Sequence, residues 1–492
     1  MKSHAFKKDL RRFLRRGVSF VLCLAAACGI LTGCAGAQSV PEQEPISLTV
    51  WTYYNGDQLA AFQELIRHFN DTAGREKKIT VESYNLGSVN DLQDAVMNSA
   101  DGKIGAQPLP DIFMAYADTA FAIDEKGLLA DLTPYLSPEE REEYVDGYLE
   151  EGALGGGDTV KIFPIAKSVE LFLLNRTDFA PFSEETGITE KDLATFEGVA
   201  RVAKAYYEWT DAKTPEPYDG QAFFGRDSMS NYFLIGAKQL GVTLVRVEDG
   251  KPVIDFDKDA VRRIWDNYYV PFVQGYFDAS GRYRSDDIKT GNIIALVGSS
   301  SGATYFPDTI IRDDADAYEV ELEVLPCPQF EGGEKYAVQQ GAGMVVIDKS
   351  EEVVKASVEF LKWFTQKEQN IRFSVQSGYL PVKKESNDIN VIREAGITLD
   401  ARMEAVLSTA LESVEQNTLY TPQAFRNGTK FREVLDYGMY DRALADAKTV
   451  REAVEAGASL EEAAAPFLSD ACVEEWYASV YSRLEKLVQE DT

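Results

Sequence analysis

From residue 46 onward, short apolar strands alternate with amphipathic helices. Ile46, Leu48 and Val50 alternate with Ser47 and Thr49, the two-residue period of a half-buried strand. Leu59, Phe62, Leu65, Ile66 and Phe69 then share one helical face, and the polar stretch 70–78, with Gly74, ends that pattern. Ile79 and Val81 open a second strand, residues 91–97 predict a second helix, and residues 110–114 predict a third, short strand. Strand–helix–strand order predicts a mostly parallel sheet, because parallel neighbours need a long crossover.

Further along, residues 161–164 and 169–174 predict strands, and residues 196–209, 261–273 and 353–364 predict helices. Val354, Val358, Leu361 and Phe364 form the apolar stripe of the last of these, with Asp348 and Glu351 as a candidate capping box before it. Val320, Leu322 and Val324 alternate with Glu319, Glu321 and Glu323, a strand with one acidic, wet face. Beyond residue 400 the pattern is helical, ending with Trp476, Val480, Leu484 and Leu487 on one face. The order is an α/β block, a largely helical block, strands again over 293–347, then helices. A chain that leaves and re-enters an α/β unit builds two lobes joined by more than one crossing. The cleft between them lies where open α/β sheets bind ligands.

The first residues follow a different logic. Lys2, Lys7, Lys8, Arg11, Arg12, Arg15 and Arg16 precede an apolar run over 18–30, too short to span a bilayer. This predicts a secretory signal peptide over 1–33. Leu31-Thr32-Gly33-Cys34 resembles a bacterial lipobox, which implies that Cys34 is lipidated, becomes the mature N-terminus and anchors the exported protein to the outer face of the cell membrane. The small, polar, Pro-bearing stretch 34–45 suits a flexible tether. No later run reaches membrane-spanning length.

Charge removes several function classes. The 492 residues carry 50 Lys+Arg against 80 Asp+Glu, a net charge of −30, and loss of the basic leader takes this to near −36. Nucleic-acid binding needs clustered cations to displace counterions, so nucleic acid is no partner. His4 and His68 are the only histidines, so a His-based triad would rest on His68 alone, and no HExxH metal motif exists. No metal, cofactor or catalytic residue is assigned. Cys23 and Cys28 belong to the leader, and Cys327 and Cys472 form either one disulfide or two buried thiols.

Five segments together resemble the bacterial extracellular solute-binding proteins of family 1, the maltose-binding-protein-like receptors of carbohydrate ABC importers. They are Leu48 to Tyr54 with the helix ending at Phe69-Asn70; Pro110-Asp111-Ile112-Phe113-Met114 with Gly127-Leu128-Leu129; Phe163-Pro164 through Leu173-Leu174-Asn175-Arg176; Thr290 through Leu296; and Gly341-Ala342-Gly343 through the closing Gly378-Tyr379-Leu380-Pro381-Val382. The last is the most specific. The resemblance covers about residues 46–385. It departs at Phe163, which lacks its usual preceding glycine; Gly155-Gly156-Gly157 comes earlier and, with no Lys-Ser/Thr after it, reads as a turn near the hinge.

The resemblance implies a two-lobed, periplasmic-binding-protein-like fold (type II), with mostly parallel sheets flanked by helices, a hinge and a helical C-terminal region. The expected division is 46–158 with 303–350 in the first lobe and 159–302 with 351–492 in the second. Sugars need aromatic platforms and paired donors and acceptors. Trp51, Tyr53, Tyr54, Asn55 and Asp57 sit past the first strand, and Tyr116 and Asp118 occupy the equivalent second loop. Lys167, Ser168 and Glu170 lie where this family often contacts ligand, Ser299 to Gly302 follow an apolar strand, and Gln339, Gln340, Gly341 and Tyr379 reach the cleft by analogy.

The expected function is therefore a monomeric, lipid-anchored receptor that captures a carbohydrate and hands it to a membrane permease. Two alternatives stand beside it: the same receptor binding glycerol phosphate, another anion or a peptide, for which Lys167 and Arg426 are the candidate cations, and a surface glycoside hydrolase. Replacing Cys34 with Ser tests the anchor in a Gram-positive host. The variant is expected in the medium, and retention on the membrane as tight as wild type would remove the lipobox reading.

Overall fold

The computed structural model describes residues 44–154, 158–313 and 316–490; the leader, Cys34 and the Gly155-Gly156-Gly157 triplet lie outside the described residues. In chain order, β1 (Ile46–Thr52), α1 (Gly56–Asp71), β2 (Ile79–Asn85), α2 (Val89–Ala100), β3 (Ile112–Ala115) and α3 (Ala117–Asp124) open the body. β4 (Glu170–Asn175), α4 (Phe196–Asp211), β5 (Phe224–Arg226), α5 (Met229–Gln239), β6 (Ala295–Ser299) and β7 (Leu322–Pro326) follow. Next come β8 (Tyr336–Val338), β9 (Gly343–Val346), α6 (Glu351–Phe364), α7 (Lys367–Ser377), α8 (Ala401–Gln416) and β10 (Thr418–Tyr420). α9 (Gly428–Glu455) and α10 (Asp470–Glu490) close the chain.

Two four-stranded sheets organise these elements. The first has the order β9-β3-β1-β2 and the second β7-β4-β6-β5. In the first sheet β1 pairs parallel with β2 and β3, and β9 returns antiparallel at the edge. The second sheet is mixed: β4 is antiparallel to both β6 and β7, and only β5 and β6 run parallel. The expectation of mostly parallel pairing therefore fits the first sheet and not the second.

Each sheet has its own core. Along β4 the two-residue alternation sends Phe172 and Leu174 into the larger core of the second lobe and Leu171 and Leu173 into a smaller one on the opposite face. The first core gathers Leu48, Val50, Phe62, Leu65 and Phe69 with Val354, Phe360 and Phe364 of α6. The packing of individual elements differs from the expected lobe boundaries. α6 packs on the first sheet, whereas Phe306, Ile310 and β7 belong with the second. α7 is shared, with Phe373 in the first core and Ile371 and Val375 in the second.

Other local departures have plain causes. The helix expected over 261–273 is two helices, Lys258–Asp266 and Tyr269–Val273. Pro271 has no N–H to offer the Asn267 carbonyl four residues back, and its ring would clash there, so the chain restarts with Pro271 inside a first turn. The N-cap of α6 is Ser350, whose side chain accepts from the Val353 amide, rather than an Asp348–Glu351 box. Residues 161–164 form no strand; Phe163 makes one isolated bridge to Met344.

Three chain passages meet between the lobes. Ser168 and Gln340 exchange two backbone hydrogen bonds of 2.9 Å, and Lys167 and Leu380 exchange another pair of 3.2 and 2.6 Å. Gly341 adopts φ +93°, and a Cβ there would stand 2.8 Å from the Ala166 carbonyl, so only glycine lets these passages approach.

Two outcomes follow. Leu65, 1% exposed, is expected to cost about 2–5 kcal/mol when cut to Ala, measured by denaturant unfolding. Both Cys327 and Cys472 are free thiols, so a chain comprising residues 46–492, unfolded without reductant, is expected to titrate with two thiols; none would mean a disulfide.

Candidate functional site

The two lobes meet over the segments that follow β1 and β3 on one side and β5 and β6 on the other. Tyr53 and Tyr54 come directly after β1, Tyr116 stands at the N-cap of α3, and Ser300 and Ser301 follow β6. Tyr379 lies on the third passage, just after α7. The Tyr53 and Tyr116 rings are near-parallel, with centroids 6.5 Å apart and planes inclined by 13°. Tyr54 is fully buried, packed on Phe62, Phe373 and Tyr379 at 5.3–5.9 Å. Burial first, and the neighbouring phenols second, push the Tyr53 and Tyr54 hydroxyls well above the usual phenol range, so both are neutral O–H groups.

Several buried polar atoms here lack hydrogen-bond partners among the described residues. They are the hydroxyls of Tyr53 and Tyr54, Ser300 Oγ and Gln340 Oε1. The Tyr53 phenol stands against those of Tyr116 and Tyr379, yet none gives it a hydrogen bond of good geometry. Unpaired buried donors and acceptors cost about 1–3 kcal/mol each.

Direct contacts tie the lobes together at this place. Gln58 Nε2 of α1 donates to the Ser301 carbonyl at 3.1 Å, and Tyr305 Oη donates to the Asn55 carbonyl at 3.4 Å. A longer polar chain crosses beside them. Asp118 pairs with Arg432 of α9 at 3.3 Å, Arg432 Nη1 lies 3.5 Å from Asn231 Oδ1, and Asn231 Nδ2 donates to Glu170 at 3.2 Å. Glu170 in turn accepts from Arg226 Nη2 at 2.9 Å on both oxygens. Burial raises the Asp118 carboxyl, while Arg432 and the Phe425 amide pull it down. A Cβ at Gly428 would stand 2.1 Å from Asp118 Oδ1, so a larger residue there would displace that carboxylate.

These contacts sort the sequence candidates. Tyr53, Tyr116, Asp118, Ser300, Ser301, Gln340 and Tyr379 come together where the lobes meet. Trp51 does not; it is buried in the first core. Asn55 is occupied locally, donating to the Gly87 and Tyr53 carbonyls, and Asp57 is exposed in the first turn of α1. Lys167, with no exposed side-chain surface, pairs with Glu151 and donates to the Gly341 carbonyl at 2.8 Å, beside the backbone crossing. Glu170 is likewise committed to Arg226 and Asn231, and Gly341 serves the backbone crossing. Arg426 pairs with Glu125 at 2.7 Å.

Arg432, Asn231, Asp227, Asp436 and Tyr305 escaped the sequence reading. Asp227 and Asp436 have carboxyls raised by burial, and Asp436 accepts from the Ser230 amide at 2.6 Å. Arg432 meets Asp118 across more than 300 positions, and within α9 it is one charged residue among many. Among the described residues no group of three or more His, Cys, Asp or Glu side chains is placed to hold a metal, and no helix is long and apolar enough to cross a membrane.

No curated protein sequence matches the chain significantly. Among solved structures, the cyclic alpha-maltosyl-1,6-maltose binding protein of Arthrobacter globiformis shares 16% identity, covers 91% of this chain and 100% of its own, and superposes with a TM-score of 0.65. UgpB of Mycobacterium tuberculosis, in complex with glycerophosphocholine, shares 17% identity over 91% and 99% of the two chains, with a TM-score of 0.65. The GacH receptor of Streptomyces glaucescens shares 17% identity over 92% and 100%, with a TM-score of 0.64. At these identities the likeness establishes the two-lobed fold. The sequence profile of the bacterial extracellular solute-binding proteins matches residues 64–401, more than half of the chain. This chain therefore belongs to the bacterial extracellular solute-binding proteins.

Proposed function

We propose that the protein is the lipid-anchored receptor of an ABC importer and that it captures an uncharged sugar or oligosaccharide between its lobes. The observation that carries this reading is the cluster of buried, unpartnered hydroxyl and amide groups on Tyr53, Ser300 and Gln340 beside the Tyr53–Tyr116 pair. Sugar hydroxyls both donate and accept, so they match such a set, and the C–H face of a pyranose suits an aromatic ring. Two of the structural relatives are a maltosyl-maltose binding protein and a receptor solved with acarbose, which supports the sugar class. Cys34 supplies the anchor, and a permease takes the ligand on.

Charge favours a neutral ligand over an anion. Arg432 and Arg226 are already paired with Asp118 and Glu170. Phosphate recognition calls for convergent guanidinium or ammonium groups that are free to donate. The relative solved with glycerophosphocholine keeps a phosphodiester ligand as the reading to test against. On this account the protein binds and does not transform its ligand.

A thermal-shift screen with mono-, di- and oligosaccharides and glycerol 3-phosphate is expected to register an uncharged sugar; at 100 times its Kd a ligand raises stability by about 2.7 kcal/mol. That sugar should come back chemically intact, and reducing-end release proportional to protein would establish a hydrolase instead. By calorimetric titration, Tyr53→Ala or Tyr116→Ala should weaken binding about ten- to a hundredfold, or roughly 1.4–2.8 kcal/mol, with the melting point little changed. Wild-type affinity in both variants would move the platform elsewhere.

A further inference from the structure

The amino-terminal edge of the first sheet lies at the opposite end from the strand ends where the lobes meet. β1 and β2 run parallel from this edge, with Ile46 opposite Ile79 and the Ile46 amide donating to the Lys78 carbonyl at 2.9 Å. β3 is parallel to β1, so α2 must lead the chain back to the same edge, and residues 101–111 connect it to β3. The chain enters the body here as well, and Ile46 stands twelve positions after Cys34. Fully extended, that stretch reaches at most about 43 Å.

Two reverse turns in succession shape the connection after α2. The Gly102 amide, at φ +62°, donates to the Ser99 carbonyl at 3.1 Å, and the Lys103 amide donates to the Asn98 carbonyl at 3.0 Å, a Schellman ending. The Ala106 amide then closes a β-turn on the Lys103 carbonyl at 3.0 Å. Gly105, at φ +87°, fills its third position, where a type II turn needs a left-handed residue. Ile104 fills the second position, and nothing covers it. It is exposed to 106% of its reference area, whereas the next large apolar side chain among the described residues, Ile311, is exposed to 58%.

Beside this isoleucine is a cation. Lys103 Nζ donates to the Asn98 side-chain oxygen, a neutral partner, at 2.7 Å, and Asp101 accepts from Lys126 at 2.8 Å. An apolar side chain next to a lysine suits the headgroup layer of a bilayer, where the first enters the acyl boundary and the second stays among the phosphates. A protein partner is the poorer match, since a stable interface buries about 800 Å² per side and a projecting turn offers one apolar side chain. A bilayer needs only that side chain, because a short tether holds such a contact at an effective concentration of about millimolar.

We propose that the turn Lys103–Ala106 is a membrane-contact site. Ile104 enters the headgroup layer, Lys103 meets the lipid phosphates, and the carboxyl ends of the first sheet's parallel strands, with the cleft beyond them, point away from the bilayer toward incoming solute. This rests on anchoring through Cys34, which belongs to the function proposed above.

The test is trypsin cleavage after Lys103, followed by mass spectrometry, on the mature lipidated chain added to preformed vesicles of equal parts phosphatidylcholine and phosphatidylglycerol. The Cys34→Ser chain with the same vesicles is the unanchored reference, and Lys213, exposed in the loop after α4 of the second lobe, is the internal control. Cleavage follows the fraction of turns that are out of the lipid, so anchoring should slow it at Lys103 by about tenfold or more and leave Lys213 unchanged. Ile104→Gln changes a side chain that packs on nothing, and it should remove most of that protection. Equal cleavage at Lys103 with and without the anchor overturns the proposal, as does protection that survives Ile104→Gln or extends equally to Lys213. Loss of the lipidated chain from the vesicles would refute the anchor and this contact with it. A chain that stays on the vesicles with Lys103 open to trypsin refutes this contact alone and leaves the receptor function standing.

Discussion

A guanidinium and a carboxylate that are both out of water must be satisfied by each other, and the second lobe is arranged around one such pair. Arg226 and Glu170 have 1% and 7% of their side chains exposed. Removing one partner of a buried pair costs about 3–5 kcal/mol, because the remaining charge stays desolvated. That constraint brings the end of β5 to the start of β4 and holds α5 close enough for Asn231 to share the carboxylate. From Asn231 the same network continues through Arg432 to Asp118, which lies in α3 beside the first sheet. A single line of polar contacts thus runs from the interior of the second lobe to the first.

A second buried pair, Lys167 with Glu151, does the corresponding work at the hinge. It sits where three passages of backbone run side by side, and Lys167 also holds the Gly341 carbonyl. Crossings joined by a few backbone hydrogen bonds, flanked by two separately packed cores, allow hinge bending while each lobe stays intact. Under the function proposed above, such closure would bring ligand hydroxyls to the unpartnered groups of Tyr53, Ser300 and Gln340.

Much of this was legible in the chain. Alternation at Ile46, Leu48 and Val50 and the stripe from Leu59 to Phe69 gave β1 and α1. At Lys167 and Glu170, where the family resemblance implies ligand contacts, the structure shows buried ion pairs. Both sit at a strand entrance where ligands often bind, but their partners, Glu151 and Arg226, are 16 and 56 positions away, and nothing in local spacing announces a buried ion pair. The expected division put 303–350 in the first lobe and 351–492 in the second, whereas Phe306, Ile310 and β7 pack with the second sheet and α6 with the first. Periodicity says that a helix has an apolar face, and it does not say which of two sheets that face covers. Arg432 was illegible altogether, since its role exists only once α9 has been laid across the cleft.

The interlobe link through Asp118 and Arg432 can be measured without knowing the ligand. A double-mutant cycle with Asp118→Asn, Arg432→Gln and the double variant, read by denaturant unfolding, isolates their interaction from the other consequences of each change. Neither side chain is fully exposed, at 15% and 31%, so the account predicts a favourable coupling of about 0.5–3 kcal/mol. Strictly additive effects would contradict it, because Asp118 and Arg432 would then contribute no link between the lobes.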